Sequence, residues 1–225
     1  MGSYSYSDMK AYVKLRLGQR TDLENVSGTN MYGVWVNSAY TKLATSSKLV
    51  ATRKDMYFPQ LETSSTASTV DAQAYVSVPT DALIVRTVFN TTDSAKLDNI
   101  TWGKYIGYTD RTNTSSETAP TEWVRSGTYL YLHPTPDKAY SLTIYYKKLV
   151  TALTGTGVTV LGAEWDDSIV SLATYIGLLY LGEFDKAKIV QAEFMENATS
   201  IANLYAIEET DRSETVYVNP LLRPT

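Results

Sequence analysis

The side chains best suited to acid–base chemistry are Glu164, Asp166 and Asp167, with His133 as the single histidine. Catalysis would need one of them as proton acceptor and another as donor, held within hydrogen-bond reach in one cleft. Their sequence setting points elsewhere. The three acids stand where a helical pattern begins, and carboxylates there complement the positive end of the helix dipole. His133 adjoins the turn residue Pro134. Nothing marks out a carboxylate pair for glycoside hydrolysis, and Gly155-Thr156-Gly157 lacks the downstream lysine and spacing of a phosphate-binding loop. With no cysteine and one histidine, neither a disulfide framework nor a Cys/His zinc site has its ligands. No catalytic residue, metal ligand or cofactor is therefore expected. The chemistry that remains is recognition. The chain carries 18 Tyr and 4 Trp, rings that combine apolar area with a polar tip, as protein interfaces and sugar-stacking platforms both require.

Rings act only if something positions them, and residues 121–149 give the plainest pattern. Residues 129–132 follow the turn pair Ser126-Gly127, and Pro134-Thr135-Pro136-Asp137 separates them from a run over 140–148. In that run Tyr140, Leu142, Ile144 and Tyr146 face one way and Ser141, Thr143 and Lys147 the other, so one face is buried and one is wet. Pro134 and Pro136 fix φ and remove amide donors, which sets a turn between strands; Pro79 ends an earlier strand in the same manner. These three prolines are assigned structural turn roles. Further strands are expected over 74–78 and 83–89. A short helix is expected at Trp102, Tyr105 and Ile106, followed by a polar loop over 109–120.

Helical spacing flanks this region. Met9, Tyr12, Val13 and Leu17 predict a helix capped by Ser7 and ended at Gly18. Met31, Val34, Trp35, Ala39 and Leu43 predict a second from Asn30. Trp165, Ile169, Leu172, Ala173, Ile176, Leu179 and Tyr180 define a third apolar face ending at Gly182, and Asp185 is expected to cap a fourth helix built on Ala187, Val190, Phe194, Ile201 and Tyr205 in an antiparallel hairpin. The expected fold class is thus α+β: a helical hairpin or bundle body (1–48 and 161–207), an inserted antiparallel β-rich region (49–160) and an extended C-terminal tail (208–225), with residues 153–157 as a linker. Val216, Tyr217, Val218, Pro220, Leu221 and Leu222 in that tail have no period that would bury them on their own chain, which makes them a candidate partner-docking segment.

Hydrophobic residues make up 44% of the chain and charged residues 20%, the balance of a folded domain with a core. No signal peptide and no stretch of 18 apolar residues is present, so neither export nor membrane insertion is expected. The net charge of −4 is uneven. Residues 164–214 hold eleven acidic residues against Lys186, Lys188 and Arg212, a local balance of −8. That disfavours tight nucleic-acid binding there, because phosphate contacts need lysine and arginine.

In order and spacing, several segments resemble the head-to-tail adaptor proteins of tailed bacteriophages, also called connector or neck proteins. They are Trp35-Val36-Asn37; Ala74-Tyr75 leading to Val78-Pro79-Thr80-Asp81-Ala82-Leu83; Pro120-Thr121-Glu122-Trp123-Val124; Leu130-Tyr131-Leu132-His133-Pro134-Thr135-Pro136; and Leu142 to Lys148 ending in Leu153-Thr154. The resemblance implies a non-enzymatic virion protein, assembled in the host cytoplasm, that forms a dodecameric ring at the head–tail interface. It implies the portal protein and a tail nozzle or tube protein as partners, and genome DNA passing through the lumen without sequence-specific binding. A Tyr/Trp-rich carbohydrate-binding module, or another tail-tube or tail-completion protein, is the alternative.

Overall fold

The computed structural model describes residues 3–45, 58–109 and 117–214. In chain order the elements are α1 (Tyr6–Arg16), α2 (Met31–Thr45), β1 (Glu62–Ser68), β2 (Tyr75–Ser77), β3 (Ala82–Asn90), β4 (Ala95–Asn99), α3 (Trp102–Thr109), β5 (Glu122–Ser126), β6 (Tyr129–His133), β7 (Ser141–Lys148), α4 (Asp166–Tyr180) and α5 (Phe184–Glu214). They fall into two compact units, Met1–Pro59 with Thr151–Thr225, and Gln60–Val150.

The second unit is one curled seven-stranded sheet, ordered β1-β7-β3-β4-β5-β6-β2. Alternation along β7 decides its inner face: Tyr140, Leu142, Ile144 and Tyr146 are buried there with Val88, Leu97, Leu130 and Leu132. Each such aliphatic side chain contributes roughly 1.5–3 kcal/mol on leaving water. The outer face is only partly wet. Tyr145 is exposed as alternation predicts, but Lys147 is buried. The turn between β6 and β7 is tied to the β1–β2 connection through buried Thr69, whose hydroxyl donates to the Lys138 carbonyl (2.9 Å) and accepts from the Tyr140 amide (2.8 Å). Pro136 offers its carbonyl to the Ala72 amide, and Pro79, between β2 and β3, offers its own to Ala82.

This architecture overturns the expected fold class. The molecule is strand-rich, with five described helices and a seven-stranded half-barrel, not a helical bundle body carrying an inserted antiparallel region. The sheet is also mixed, because β4 runs parallel to β5. Two strands escape sequence reading for a physical reason: β1 (ETSSTAS) and β4 (AKLDN) lack apolar alternation and are held by their neighbours' hydrogen bonds. The helix expected to end at 207 continues to Glu214, so the segment from 208 does not begin as an extended tail.

In the first unit α4 is the hub, packing against α1, α2 and α5. Two glycines let helices approach closely. A Cβ on Gly177 would stand 2.8 Å from the Leu17 side chain and 2.9 Å from the Trp35 ring, and one on Gly33 would collide with the Tyr6 hydroxyl. The expected stripe on α4 is only partly right. Leu179 and Tyr180 are exposed, while Ser168, Ser171 and Thr174 are buried, because small residues suit a helix enclosed on several sides. Caps shift as well. Ser5, not Ser7, caps α1, in a reciprocal box with Asp8, and Asp185 lies inside the first turn of α5 rather than before it. Residues 153–157 are no free linker. The Asn37 side chain bonds both backbone groups of Leu153 (2.7 and 3.1 Å), and Gly157 accepts from the Tyr6 amide (2.7 Å).

Candidate protein-interaction surface

Residues on β6 alternate between two environments. Leu130 and Leu132 point into the core, so Tyr129, Tyr131 and His133 share the opposite face. Pairing with β2 sets Tyr75 opposite Tyr131, which brings the Tyr75 ring to 5.0 Å from Tyr129 and 6.0 Å from Tyr131. Helix α3 lies on the same face. Its three-residue spacing stacks Trp102 on Tyr105 (5.4 Å, 19°) and sets both against Tyr131, at 5.2 and 5.4 Å. Tyr105 is buried, and that burial raises its phenol above the ordinary value. Trp102, Tyr75, Tyr129 and Ile106 stay 39–42% exposed. The rings therefore form one half-open apolar surface, the composition that marks interface centres.

A charged rim borders it. Lys104 donates to Glu122 at 2.6 Å and lies 5.6 Å over the Tyr108 ring. The hydrogen bond to Glu122 holds the Lys104 ammonium above its usual range. For Glu122, burial pushes the carboxyl up, but Lys104 and Tyr108 outweigh it and the net shift is downward. Rings with a paired rim are suited to binding a protein partner.

The residues considered for catalysis fall in different units. His133 stacks on Tyr108 (4.0 Å, 13°) in the sheet unit. Asp166 is buried in the helical unit, where its carboxylate accepts from Ser3 Oγ (3.0 Å), the Tyr4 amide (2.6 Å) and Thr159 Oγ1 (3.1 Å). Burial raises its pKa despite these bonds. It clips the N-terminal segment to the start of α4. Among the described residues, no three potential metal ligands cluster and no helix is long and apolar enough to cross a membrane.

Pro79, Pro134 and Pro136 sit in the β2–β3 and β6–β7 connections. Val216, Tyr217, Val218, Pro220, Leu221 and Leu222 lie outside the described residues. Sequence reasoning named Trp102 and Tyr105 only as helix formers and Tyr75 and Tyr131 only within segments of family resemblance, and assigned neither these nor Tyr129 to a site, although the signal was present: Tyr129 and Tyr131 two apart on a strand, Trp102 and Tyr105 three apart on a helix.

Compared with known proteins, the chain matches the model of the SU10 adaptor protein family over residues 4–222. No curated protein matches it. The chain belongs to the SU10 adaptor protein family and is a phage adaptor, a structural component of the virion.

Proposed function

We propose that this adaptor is one subunit of a closed, dodecameric ring between portal and tail, with the tail nozzle or tube attached beneath and genome DNA passing through its lumen. The observation that carries the proposal is the family match across residues 4–222, almost the whole chain. The exposed aromatic face agrees with it. A ring subunit must present different surfaces to its two neighbours, and a half-open cluster of Trp102, Tyr75 and Tyr129 supplies the apolar anchors that interfaces concentrate. The balance of −8 over residues 164–214 would keep DNA phosphates from sticking if that region lines the lumen. No catalytic step is assigned. In the ring, Pro79, Pro134 and Pro136 keep the strand connections fixed, and the segment 216–222 docks on a protein neighbour.

Electron microscopy of the purified chain, alone and mixed with the portal protein, tests this. Rings that cap the portal are expected; particles that stay single and ignore the portal overturn it. A carbohydrate-binding role draws on the same exposed rings. Yet Tyr75 and Tyr129 meet at 71°, presenting edge to face where a sugar platform needs open faces. Glycan binding by a monomer would favour that second reading.

A further inference from the structure

We infer that a gap inside the sheet, between β3 and β5, docks an extended acidic segment of another virion protein as an added strand, with Arg125 reading its carboxylate. The site deepens the adaptor reading, on which the choice of a virion protein as partner rests. β4 creates the gap. Its residues 95–97 pair with 88–90 of β3, but Asp98 and Asn99 pair with Glu122 and Trp123 of β5 instead. The chain then turns into α3 at Trp102. Past that crossing the strand position between β3 and β5 is left without a strand. Ile84 and Val85 pair with β7, and residues 124–126 with β6, and neither segment has a second strand partner among the described residues. A missing strand leaves its neighbours about 10 Å apart, twice the usual spacing. A cleft of about 350 Å³ lies there, lined by Leu83, Ile84 and Val85 on one side and Val124 and Arg125 on the other, with Ile100 just past the end of β4. Ligand pockets span about 300–1,000 Å³.

The walls define the guest. Two strand edges without partners call for extended backbone, which would continue the line of β4, antiparallel to β3 and parallel to β5. Aliphatic side chains, with Ile84 still 45% exposed, call for apolar residues beside it. Arg125 calls for a carboxylate. Its half-buried guanidinium crosses the gap and donates to the carbonyls of Leu83 (2.8 Å) and Ala82 (3.1 Å), while Nε donates to Gly127 (3.3 Å). It supplies donors where a strand would place amides. All three acceptors are neutral. Arg86 and Lys104 of the same unit pair with Glu62 and Glu122, but no carboxylate pairs with Arg125 among the described residues. A guanidinium without counter-charge between apolar walls favours an Asp or Glu, which it can bind through two parallel hydrogen bonds. As the guest enters, its amides take over the Ala82 and Leu83 carbonyls and the guanidinium turns to its carboxylate. Trp123, buried and lining the same cleft, has an indole N–H with no acceptor among the described residues, a donor for a guest carbonyl.

The intact chain on an array of heptapeptides tests this, each peptide built from Val, Ile, Thr and Ser around a central Glu, Gln or Lys. Glu peptides are expected to be retained at least tenfold more than their Gln counterparts, and Lys peptides not at all. Ile84→Asp puts a carboxylate on the exposed wall and is expected to abolish retention while leaving the circular dichroism spectrum unchanged. Arg125→Gln should erase the preference for Glu, and Arg125→Lys, which keeps the charge, should preserve it. Equal retention of Glu and Gln peptides, or retention unmoved by Ile84→Asp, overturns the inference. Electron microscopy with portal protein decides the ring reading separately. Rings that cap the portal while the chain ignores the Glu peptides overturn this site and leave that reading standing; single particles that ignore the portal yet retain the Glu peptides do the reverse.

Discussion

In the helical unit α4 is enclosed so tightly that Gly177 has no room for a methyl group and Asp166, Ser168, Ser171 and Thr174 are buried. In the sheet unit only one face is closed. Leu130, Leu132, Leu142 and Ile144 fill it, while Trp102, Tyr75 and Tyr129 remain open on another side and β1 has no second strand partner among the described residues. One unit holds together through close backbone approach and through buried polar side chains, of which Asp166, Ser171 and Thr174 are hydrogen-bonded. The other holds together through apolar strand faces and keeps surface in reserve. Substitutions in the packed interior of the first should therefore act on folding, whereas some in the second should spare folding and act on association.

The largest effect is expected from Ile144→Ala, which empties the centre of the sheet core and should cost about 3–4 kcal/mol in urea unfolding. A cost below about 1 kcal/mol would mean the sheet lacks the closed face described. Next comes Asp166→Ala in the helical unit, which strands the Tyr4 amide and the hydroxyls of Ser3 and Thr159 and should cost about 2 kcal/mol.

Asp166 also fixes a sign. Its folded pKa lies above the ordinary carboxylate value because of burial, so the native state binds the proton more tightly than the unfolded chain does. Its contribution is fully present below the unfolded pKa and is lost as pH rises through the folded one. Asp166→Asn should flatten that acid-range slope in unfolding free energy measured against pH.

Gly177→Ala sets two effects against each other. Helix propensity favours alanine by about 1 kcal/mol, and overpacking against Leu17 and Trp35 costs about 1–3 kcal/mol. A net loss near 1 kcal/mol is expected on thermal unfolding, and a stabilised variant would contradict the close helix contact.

The comparison is sharpest at Trp102→Ala combined with Tyr129→Ala. Stability should change by under about 1 kcal/mol, since both rings are about two-fifths exposed, while binding to ring or virion partners in sedimentation should fall at least tenfold. Smallest is a spectroscopic effect: Tyr140 donates to Asp137 at 2.6 Å, and this bond with burial pushes its phenol up to about 12. Asp137→Asn should return its titration toward the ordinary tyrosine value.

What the sequence made legible divides along the same line. Alternation revealed β7, β6 and β3 because their faces differ in hydrophobicity, and three- and four-residue spacing revealed α2 and α4. β1 and β4 stayed hidden because polar strands take their conformation from partners far along the chain. The fold class failed with them, since a mixed half-barrel cannot be inferred when two of its strands leave no pattern. Gly177 and Ser171 carry no signal of burial in themselves; only packed neighbours make them core residues. The aromatic surface was half legible: Tyr129 and Tyr131 could be placed on one face, but their meeting with Tyr75 and Trp102 depends on strand pairing that no spacing encodes.

The proposed role requires this adaptor to assemble with its own copies and with the portal. Sedimentation velocity of the intact chain, with and without portal protein, tests it most directly. A discrete ring-sized species that shifts further when portal is added is the predicted result; a lone 25.0 kDa species, unchanged by portal, would contradict it.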